Sequence, residues 1–331
     1  MSTMRKLGRS DLSTKAIGLG CWAIGGHFTL NGLADGWGDV DDGESVRAIE
    51  VALDLGANLI DTADVYGAGH SETVIGTALR GRRDTAIIAT KFGNCYDETA
   101  RTVGGTDLSA SYIDWASAQS LRRLGTDYID LYQLHVGELP DDAADAVGET
   151  LERLAESGRI RWWGWSTDNA RAAARMVKFP HFASIQQELN LFVDGPEVLE
   201  LCETQNLASL NRSPLAMGML TGKFSVGSRL ANSDVRGAGH SWVRFFADGK
   251  PEPDTLKRLD AVRDLLTTGG RTVAQGALGW ILARSPVTIP IPGFKSEAQL
   301  RENLGALDHG PLPAEVMAEI HSILDREPED A

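Results

Sequence analysis

Cysteine is scarce in this sequence of 331 residues. Cys21, Cys95 and Cys202 are widely spaced and form no CxxC pair. An odd, scattered set of this kind argues against a disulfide framework and against a zinc site. We therefore expect a reducing compartment, the cytoplasm, and no bound metal.

Long apolar runs and excess positive charge are lacking as well. No stretch approaches the ~18 apolar residues of a membrane span, and the charged residues 1–13 precede no apolar core typical of a secretory signal. The 46 acidic residues outnumber the 32 Lys and Arg residues, which gives a net charge of −14. Because an acidic surface disfavours nucleic acids and anionic membranes, neither is an expected partner.

What the sequence does contain is a regular alternation of short apolar runs with segments of helical period. Strands that alternate with helices pair in parallel through right-handed crossovers. Eight such units over about 250 residues are the size of a (β/α)8 barrel. The predicted strands are residues 16–19, 58–62, 86–90, 128–134, 160–166, 184–188, 207–211 and 287–290.

An open doubly wound sheet is the alternative α/β architecture. The even spacing and the lack of a composition break favour one TIM-barrel domain over residues 1–331. Residues 4–20 predict two short strands that could form a β-hairpin capping the barrel, although residues 16–19 could instead begin the buried sheet. Residues 313–324 predict an extra C-terminal helix. The Gly-rich residues 27–42 and 217–253 are predicted as loops, the second as a lid or insertion.

Four polar residues fall at the carboxyl ends of three successive predicted strands, where barrel enzymes carry their chemistry. Asp61 and Tyr66 follow the second strand, Lys91 follows the third, and His135 follows the fourth. Taken singly, each has an ordinary interpretation as a capping, packing or hydrogen-bonded residue. Their grouping at one rim favours a catalytic site.

These residue types suit proton donation to a carbonyl oxygen. A phenol titrates near ~10, and the ammonium of Lys91 is expected to lower the pKa of Tyr66. Asp61 pairs with Lys91 and opposes part of that effect. His135 can orient a substrate oxygen by a hydrogen bond, and a positioned acid beside that oxygen is what hydride delivery needs.

Across nearly the whole chain, several motifs in order resemble the aldo-keto reductase superfamily, in particular the bacterial general reductases and the potassium-channel β-subunit-like branch. The resemblance implies that Tyr66 is the proton donor, that Lys91 and Asp61 tune it, and that His135 orients the carbonyl. The matching stretches are GLGCW at 18–22, residues 58–72, IIATKF at 87–92, LRRLGTDYIDLYQLH at 121–135, residues 160–169, SPLAMGMLTGK at 213–223 and residues 291–303.

A nicotinamide cofactor is expected. GLGCWA at 18–23 matches a dinucleotide fingerprint, but no helical pattern follows it, so we discount that motif. The resemblance instead implies NADPH (NADP) across the barrel mouth. The implied cofactor-binding residues are Gly20, Trp22, Ser166, Thr167, Gln186, Arg212, Ser213, Pro214, Leu215, Ala216, Lys223, Arg236, Gly293, Lys295, Gln299, Glu302 and Asn303.

Two positions depart from the family pattern. Arg212 stands where many members have an aromatic residue that stacks on the nicotinamide, and a guanidinium plane can stack as well. Thr167 stands where the family often has Asn, between the implied carboxamide ligands Ser166 and Gln186.

The adenosine-phosphate end is predicted near residue 295. Ser296 and Gln299 have the spacing of a capping box that begins a helix. A helix N-terminus with Lys295 beside it is typical of an anion site. A lysine near the 2′-phosphate favours NADPH over NADH.

The expected substrate is a small carbonyl compound or alcohol, and Trp22 and Trp37 are candidates to line its pocket. Apolar walls favour aldehydes or ketones, whereas the polar residues 27–42 favour sugars or polyols. Two other functions stay open: a Schiff-base aldolase that uses Lys91, and a cofactor-sensing regulatory module. A monomer is the default expectation.

Overall fold

The computed structural model describes residues 4–325 of the chain. Within that range sixteen strands occur, most of them short. They are β1 (Met4–Lys6), β2 (Ser13–Lys15), β3 (Leu19–Gly20), β4 (Thr29–Leu30), β5 (Leu33–Ala34), β6 (Leu59–Asp61), β7 (Ile87–Phe92), β8 (Asn94–Asp97), β9 (Thr102–Thr106), β10 (Ile129–Leu134), β11 (Ile160–Ser166), β12 (Phe182–Glu188), β13 (Ala208–Arg212), β14 (Phe246–Ala247), β15 (Lys250–Pro251) and β16 (Thr288–Pro290).

Ten α-helices occur in the same part of the chain, eight before the last strand and two after it. Several begin at a side chain that accepts a first-turn N–H, which satisfies an otherwise free donor. These N-cap residues are Asp41, Ser109, Asn169, Thr272 and Ser296. The helices are α1 (Asp42–Asp54), α2 (His70–Ala78), α3 (Ala110–Leu124), α4 (Asp141–Glu156), α5 (Ala170–Ala174), α6 (Pro196–Thr204), α7 (Pro253–Leu266), α8 (Val273–Arg284), α9 (Glu297–His309) and α10 (Ala314–Ile323).

Eight of the described strands form one parallel sheet, in the order β3-β6-β7-β10-β11-β12-β13-β16. The two ends of this sheet meet, because Gly18 N donates to Pro290 O at 3.0 Å and Gly20 N donates to Pro292 O at 3.0 Å. A Cβ at Gly20 would lie 2.5 Å from the Ile291 carbonyl oxygen, so only glycine fits this closure. The predicted barrel is therefore confirmed, and the open-sheet alternative is wrong.

The N-terminal hairpin closes one end of the barrel, as predicted. Strands β1 and β2 pair antiparallel, and Leu7 and Leu12 beside them are buried. They pack in one cluster with Leu59, Leu131 and Leu210 from the barrel strands. This apolar plug fills the barrel at its N-terminal end, which leaves the opposite end for a site.

The predicted loop 27–42 is partly wrong. It contains β4 and β5, which join β8 and β9 in a four-stranded sheet of order β5-β4-β9-β8. Strands of two residues are too short to show an alternating pattern. The pairing of β4 with β9, between residues far apart in sequence, is a tertiary contact.

The region after residue 217 also differs from the prediction. The predicted loop 217–253 contains short 3-10 turns and the β14–β15 hairpin, and α7 directly after it was missed. Its buried residues Leu256, Leu259, Val262 and Leu266 have helical spacing, so the pattern was present in the sequence. The predicted C-terminal helix is confirmed as α10, and the short α5 is followed by a 3-10 turn over Arg175–Lys178.

Candidate functional site

A cavity of about 980 Å³ opens at the C-terminal end of the barrel. Its walls come from the strand ends, from the four-stranded sheet and from the long segment after β13. This volume lies within the usual range for sites that hold small molecules and cofactors.

Lys91 lies beneath the cavity floor and is fully buried. Its Nζ donates to Asp61 Oδ1 at 2.6 Å, to Thr62 O at 2.8 Å and to Tyr66 OH at 3.4 Å. An ammonium has three donors, and these contacts use all of them. The structure therefore brings Asp61, Tyr66 and Lys91 together as predicted.

Asp61 is held at both carboxylate oxygens. Its Oδ2 accepts from Gln133 Nε2 at 3.0 Å and from Gln186 Nε2 at 2.8 Å. A buried carboxylate needs such partners to offset the cost of leaving water. The sequence interpretation missed Gln133, although it lies two residues before His135 and thus on the same face of β10.

The protonation states follow from this packing. Burial lowers the pKa of Lys91, but Asp61 and Tyr66 raise it by a larger amount. The pKa of Lys91 therefore lies above its ordinary value. Burial raises the pKa of Tyr66 by more than Lys91 lowers it. The predicted lowering of the Tyr66 pKa by Lys91 is therefore outweighed by burial. At neutral pH Lys91 is an ammonium and Tyr66 is a protonated phenol.

His135 stands next to Tyr66 across the cavity floor. The two ring centroids are 6.0 Å apart and the rings are nearly perpendicular. Burial, together with the charges of Lys91 and Arg212, lowers the pKa of His135 to about 3. The imidazole is therefore neutral at neutral pH, with one N–H to donate.

An aromatic wall flanks the phenol. Trp22 is stacked with Tyr66 at a centroid distance of 5.9 Å, and Trp37 meets Trp22 edge-on at 5.2 Å. Trp37 also lies over the guanidinium of Arg236 at 4.6 Å, and its carbonyl accepts from Lys295 Nζ at 2.9 Å. Trp22 and Trp37 both line the cavity, but Trp37 belongs to its cationic end as well.

The predicted cofactor residues converge on this cavity with one exception. Ala216 is fully buried in the core and, among the described residues, is not part of the lining. The predicted residues that do line the cavity are Gly20, Trp22, Ser166, Thr167, Gln186, Arg212, Ser213, Pro214, Leu215, Lys223, Arg236, Gly293, Lys295, Gln299, Glu302 and Asn303.

Arg212 is held at the cavity edge by two carboxylates. It forms ion pairs with Asp168 and, at 3.5 Å, with Glu188. These contacts fix the guanidinium beside the strand ends of β11 and β12. The stacking of Arg212 on a nicotinamide stays a prediction.

The segment after β13 has an unusual backbone. Ser213, Ala216 and Met217 have φ values of 51°, 47° and 54°, in the left-handed region that residues other than glycine rarely adopt. Such strain is typical of functional sites, and backbone turns of this kind present N–H groups to anions.

The N-terminus of α9 forms a second anion-binding feature. Ser296 Oγ accepts from Gln299 N at 3.3 Å, as the predicted cap requires. The rest of the predicted capping box is wrong. Gln299 Oε1 would have to accept from the backbone N–H of Ser296, but it accepts from Lys295 N at 2.8 Å. Lys295 therefore lies at the positive end of a helix dipole, which favours a phosphate.

Two further findings concern the described residues as a whole. In residues 4–325, no group of three His, Cys, Asp or Glu side chains is arranged to hold a metal ion. Over the same range, no helix is both long and apolar enough to cross a bilayer.

The model of the aldo/keto reductase family matches residues 16–325. The chain therefore belongs to this family of oxidoreductases, which confirms the resemblance seen in its motifs. It is 32% identical over 319 residues to the uncharacterized oxidoreductase YqkF of Bacillus subtilis, with 96% of this chain and 95% of that protein covered.

Solved structures agree with this assignment. The glycerol dehydrogenase AKR11B4 from Gluconobacter oxydans is 30% identical, with a TM-score of 0.83 over 99% of this chain and 98% of that one. An aldo/keto reductase from Klebsiella pneumoniae, in complex with NADP and acetate, is 25% identical, with a TM-score of 0.71 over 100% of this chain and 98% of that one.

Proposed function

We propose that the chain is an NADPH-dependent oxidoreductase that interconverts aldehydes or ketones and alcohols. The observation that carries this proposal is the chain of contacts from Asp61 through Lys91 Nζ to Tyr66 OH at the cavity floor. A phenol and a fixed positive charge beside a cavity with room for a small carbonyl compound support proton transfer from Tyr66 to its oxygen.

The cavity fits the cofactor on grounds of this structure. The strained Ser213–Met217 backbone and the N-terminus of α9 offer two anion sites in one cavity, and Lys223, Arg236 and Lys295 line the same walls. When bound, NADPH would supply the hydride. The similarity to a reductase solved with NADP supports the same choice.

The protein's own groups then manage the proton and the developing charge. Protonated Tyr66 donates its phenol proton to the carbonyl oxygen as negative charge develops there. Lys91 stabilises the resulting phenolate, and Asp61 holds Lys91 in position. Neutral His135 offers an N–H that orients the same oxygen.

The test compares two tyrosines. Tyr66→Phe is expected to lower kcat by about 10²- to 10⁴-fold, the usual contribution of a general acid. Tyr128→Phe is the matched control, because its ring packs under Arg83 at 4.1 Å and does not line the cavity. NADPH oxidation with a panel of aldehydes and ketones is the measurement. Unchanged activity in Tyr66→Phe would overturn the role of Tyr66.

The cofactor preference has its own test. Lys295→Met is expected to raise KM for NADPH and to leave KM for NADH unchanged, because the lysine serves the 2′-phosphate. Arg301→Met is the control, since Arg301 is exposed and pairs with Glu297 at 2.7 Å on the same helix. Equal effects on both cofactors would contradict the preference for NADPH.

The contacts of Lys91 argue against an imine-forming aldolase. Such a lysine must be deprotonated and reach the substrate. Lys91 is fully buried, its pKa is raised above the ordinary value despite burial, and all three of its donors are engaged. Borohydride in the presence of substrate is therefore expected to leave Lys91 unmodified.

A further inference from the structure

Asp64 is a fully buried acid in the turn of residues 62–69, which joins β6 to α2. It does not line the cavity, although the next two residues, Val65 and Tyr66, do. Neither of its carboxyl oxygens has a hydrogen bond within the described part of the chain. Because buried polar atoms are nearly always paired, this carboxyl group needs an explanation.

The packing around Asp64 favours its neutral form. Burial, and then the charge of Glu72, raises the pKa of Asp64 well above its ordinary value. Arg123, the backbone N–H of Val65 and Lys91 act in the opposite direction without outweighing these causes. Both cations are already engaged with other carboxylates. An ionised Asp64 would therefore be a buried charge with no counter-ion of its own.

Three phenols also face Asp64, and none of them can compensate its charge. Burial, and then the charge of Asp64, raises the pKa of each phenol above its ordinary value. They therefore stay neutral when Asp64 ionises. The charged and titratable groups around Asp64 are Glu72 of α2, Tyr112 and Arg123 of α3, Lys91 of β7, Tyr96 of β8 and Tyr132 of β10.

The turn that carries Asp64 contacts Lys91 at three points. Thr62 O accepts from Lys91 Nζ at 2.8 Å, and Asp64 N donates to Lys91 O at 3.3 Å. Tyr66 OH lies 3.4 Å from Lys91 Nζ, which is already long for a hydrogen bond. A shift of this turn by a few tenths of an ångström is therefore enough to separate the phenol from the ammonium.

We propose that Asp64 is a positioning residue whose proton keeps the 62–69 turn in place and thereby holds Tyr66 OH within reach of Lys91 Nζ. Loss of this proton leaves a buried charge beside Glu72, which displaces the turn and lowers kcat at alkaline pH. This inference rests on the proposed reductase function and concerns the pH regulation of the same site.

The groups at the cavity floor do not titrate in the pH range that tests this inference. The pKa values of Tyr66 and Lys91 are raised above ordinary values of ~10, and the pKa of His135 is lowered to about 3. From about pH 5 to about pH 10 these three groups therefore keep their charge. Asp35 is an alternative source of pH dependence, because it lines the cavity and burial raises its pKa to about 7.

The experiment measures kcat for carbonyl reduction at saturating NADPH and aldehyde, from about pH 5 to about pH 10. Above the pKa of Asp64, kcat of the wild type is expected to fall by up to about tenfold per pH unit, as for the loss of one proton. Asp64→Asn carries no charge at any pH, so this fall is expected to disappear, whereas it remains in Asp35→Asn.

Two further measurements exclude a merely structural effect. Circular dichroism at each pH gives the folded fraction, so that kcat is expressed per folded molecule. The Kd for NADPH, measured by fluorescence, is expected to stay constant across the alkaline fall in kcat, because Asp64 does not line the cavity. A fall in kcat explained entirely by unfolding or by weaker NADPH binding would overturn the positioning role.

The outcomes separate this inference from the proposed function. If the wild type reduces no carbonyl compound at any pH, the reductase proposal fails and this inference fails with it. If the wild type is active, a flat kcat, an equal fall in Asp64→Asn, or a fall removed only by Asp35→Asn overturns the role of Asp64 alone. If Asp64→Asn does not fold, Asp64→Ser, which is also neutral and is smaller, decides by the same comparison.

Discussion

Two buried ion pairs lie on opposite faces of β7. Lys91 points inward and pairs with Asp61 under the cavity. Its neighbour Thr90 points outward, where its Oγ1 donates to Glu72 Oε1 at 2.5 Å. Glu72 pairs there with Arg123 from α3. Successive residues of a strand face opposite sides, so one strand serves both networks.

The two networks differ in what their cation can reach. Arg123 Nε donates to Glu72 Oε2 at 2.7 Å, and its Nη1 donates to Tyr96 OH at 2.8 Å and to Glu98 Oε1 at 2.5 Å. These contacts join α2, α3 and the β8 region, and Arg123 does not line the cavity. Lys91 instead contacts the phenol that does. The Arg123 network therefore joins elements of the fold, whereas the Lys91 network reaches the proposed proton donor Tyr66.

The largest effect is expected from Lys91→Met. The variant loses the cation that stabilises the phenolate, so kcat/KM for carbonyl reduction falls by about 10²- to 10⁴-fold. Asp61 also loses its ionic partner, which lowers the free energy of unfolding. Activity is measured on protein shown to be folded by circular dichroism. A folded Lys91→Met variant with near wild-type kcat would contradict the proposed role of the Lys91 network in catalysis.

Arg123→Met is expected to act mainly on stability. Glu72 keeps the hydrogen bond from Thr90 but is left buried without its cation, so the free energy of unfolding falls by about 3–5 kcal/mol. The kcat of folded protein stays near that of the wild type. Urea unfolding and kcat below the transition are the measurements. Arg122→Met, an exposed neighbour paired with Glu98, is the control and changes stability by no more than about 1 kcal/mol. Loss of kcat without loss of stability in Arg123→Met would contradict the structural role.

Gln133→Leu tests how much a single hydrogen bond to Asp61 matters within the Lys91–Asp61 network. The change removes one donor to Asp61 Oδ2, worth about 1–3 kcal/mol, and lowers kcat by roughly tenfold with KM unchanged. Gln133 is a positioning residue, so the split between kcat and KM is the informative readout. Gln187→Leu is the control, because its Nε2 donates to Ser209 Oγ at 2.9 Å instead. A rise in KM with kcat unchanged would contradict the positioning role and would mean that Gln133 acts in ligand binding.

The last prediction concerns Asp64, which lies two residues before Tyr66. Its carboxyl oxygens are buried without a hydrogen bond among the described residues, and burial, with the charge of Glu72, raises its pKa well above the ordinary value. The folded state keeps a proton that the unfolded state releases. Stability therefore falls as pH rises from about 4 toward the raised pKa, by about 1.4 kcal/mol per pH unit at most.

Asp64→Asn removes this loss of stability. The gain in Tm over the wild type is expected to be larger at about pH 8 than at about pH 5. The exposed Asp308→Asn is the control and shows no such trend. A gain independent of pH would mean that Asp64 stays ionised in the folded state.

Much of the fold could be predicted from the sequence, because local patterns of apolar residues specify most strands and helices. Apolar runs and helical spacing predicted the barrel strands and most helices, and the Ser296 cap marked the start of α9. Helix α7 was missed although its spacing is regular. The β4–β9 pairing was missed for a physical reason, since short strands from distant segments stabilise each other only once the barrel brings them together.

The candidate site, like the fold, was predicted from the sequence only in part. The positions of Asp61, Tyr66, Lys91 and His135 at strand ends were predicted, because strand order sends those ends to one rim. The amide pair on Asp61 and the raised pKa of Tyr66 were not, because both depend on how completely the neighbours exclude water. Local residue order is enough to specify which groups reach the mouth of the barrel. Their charge states arise only when residues remote in sequence pack around them and replace the solvent.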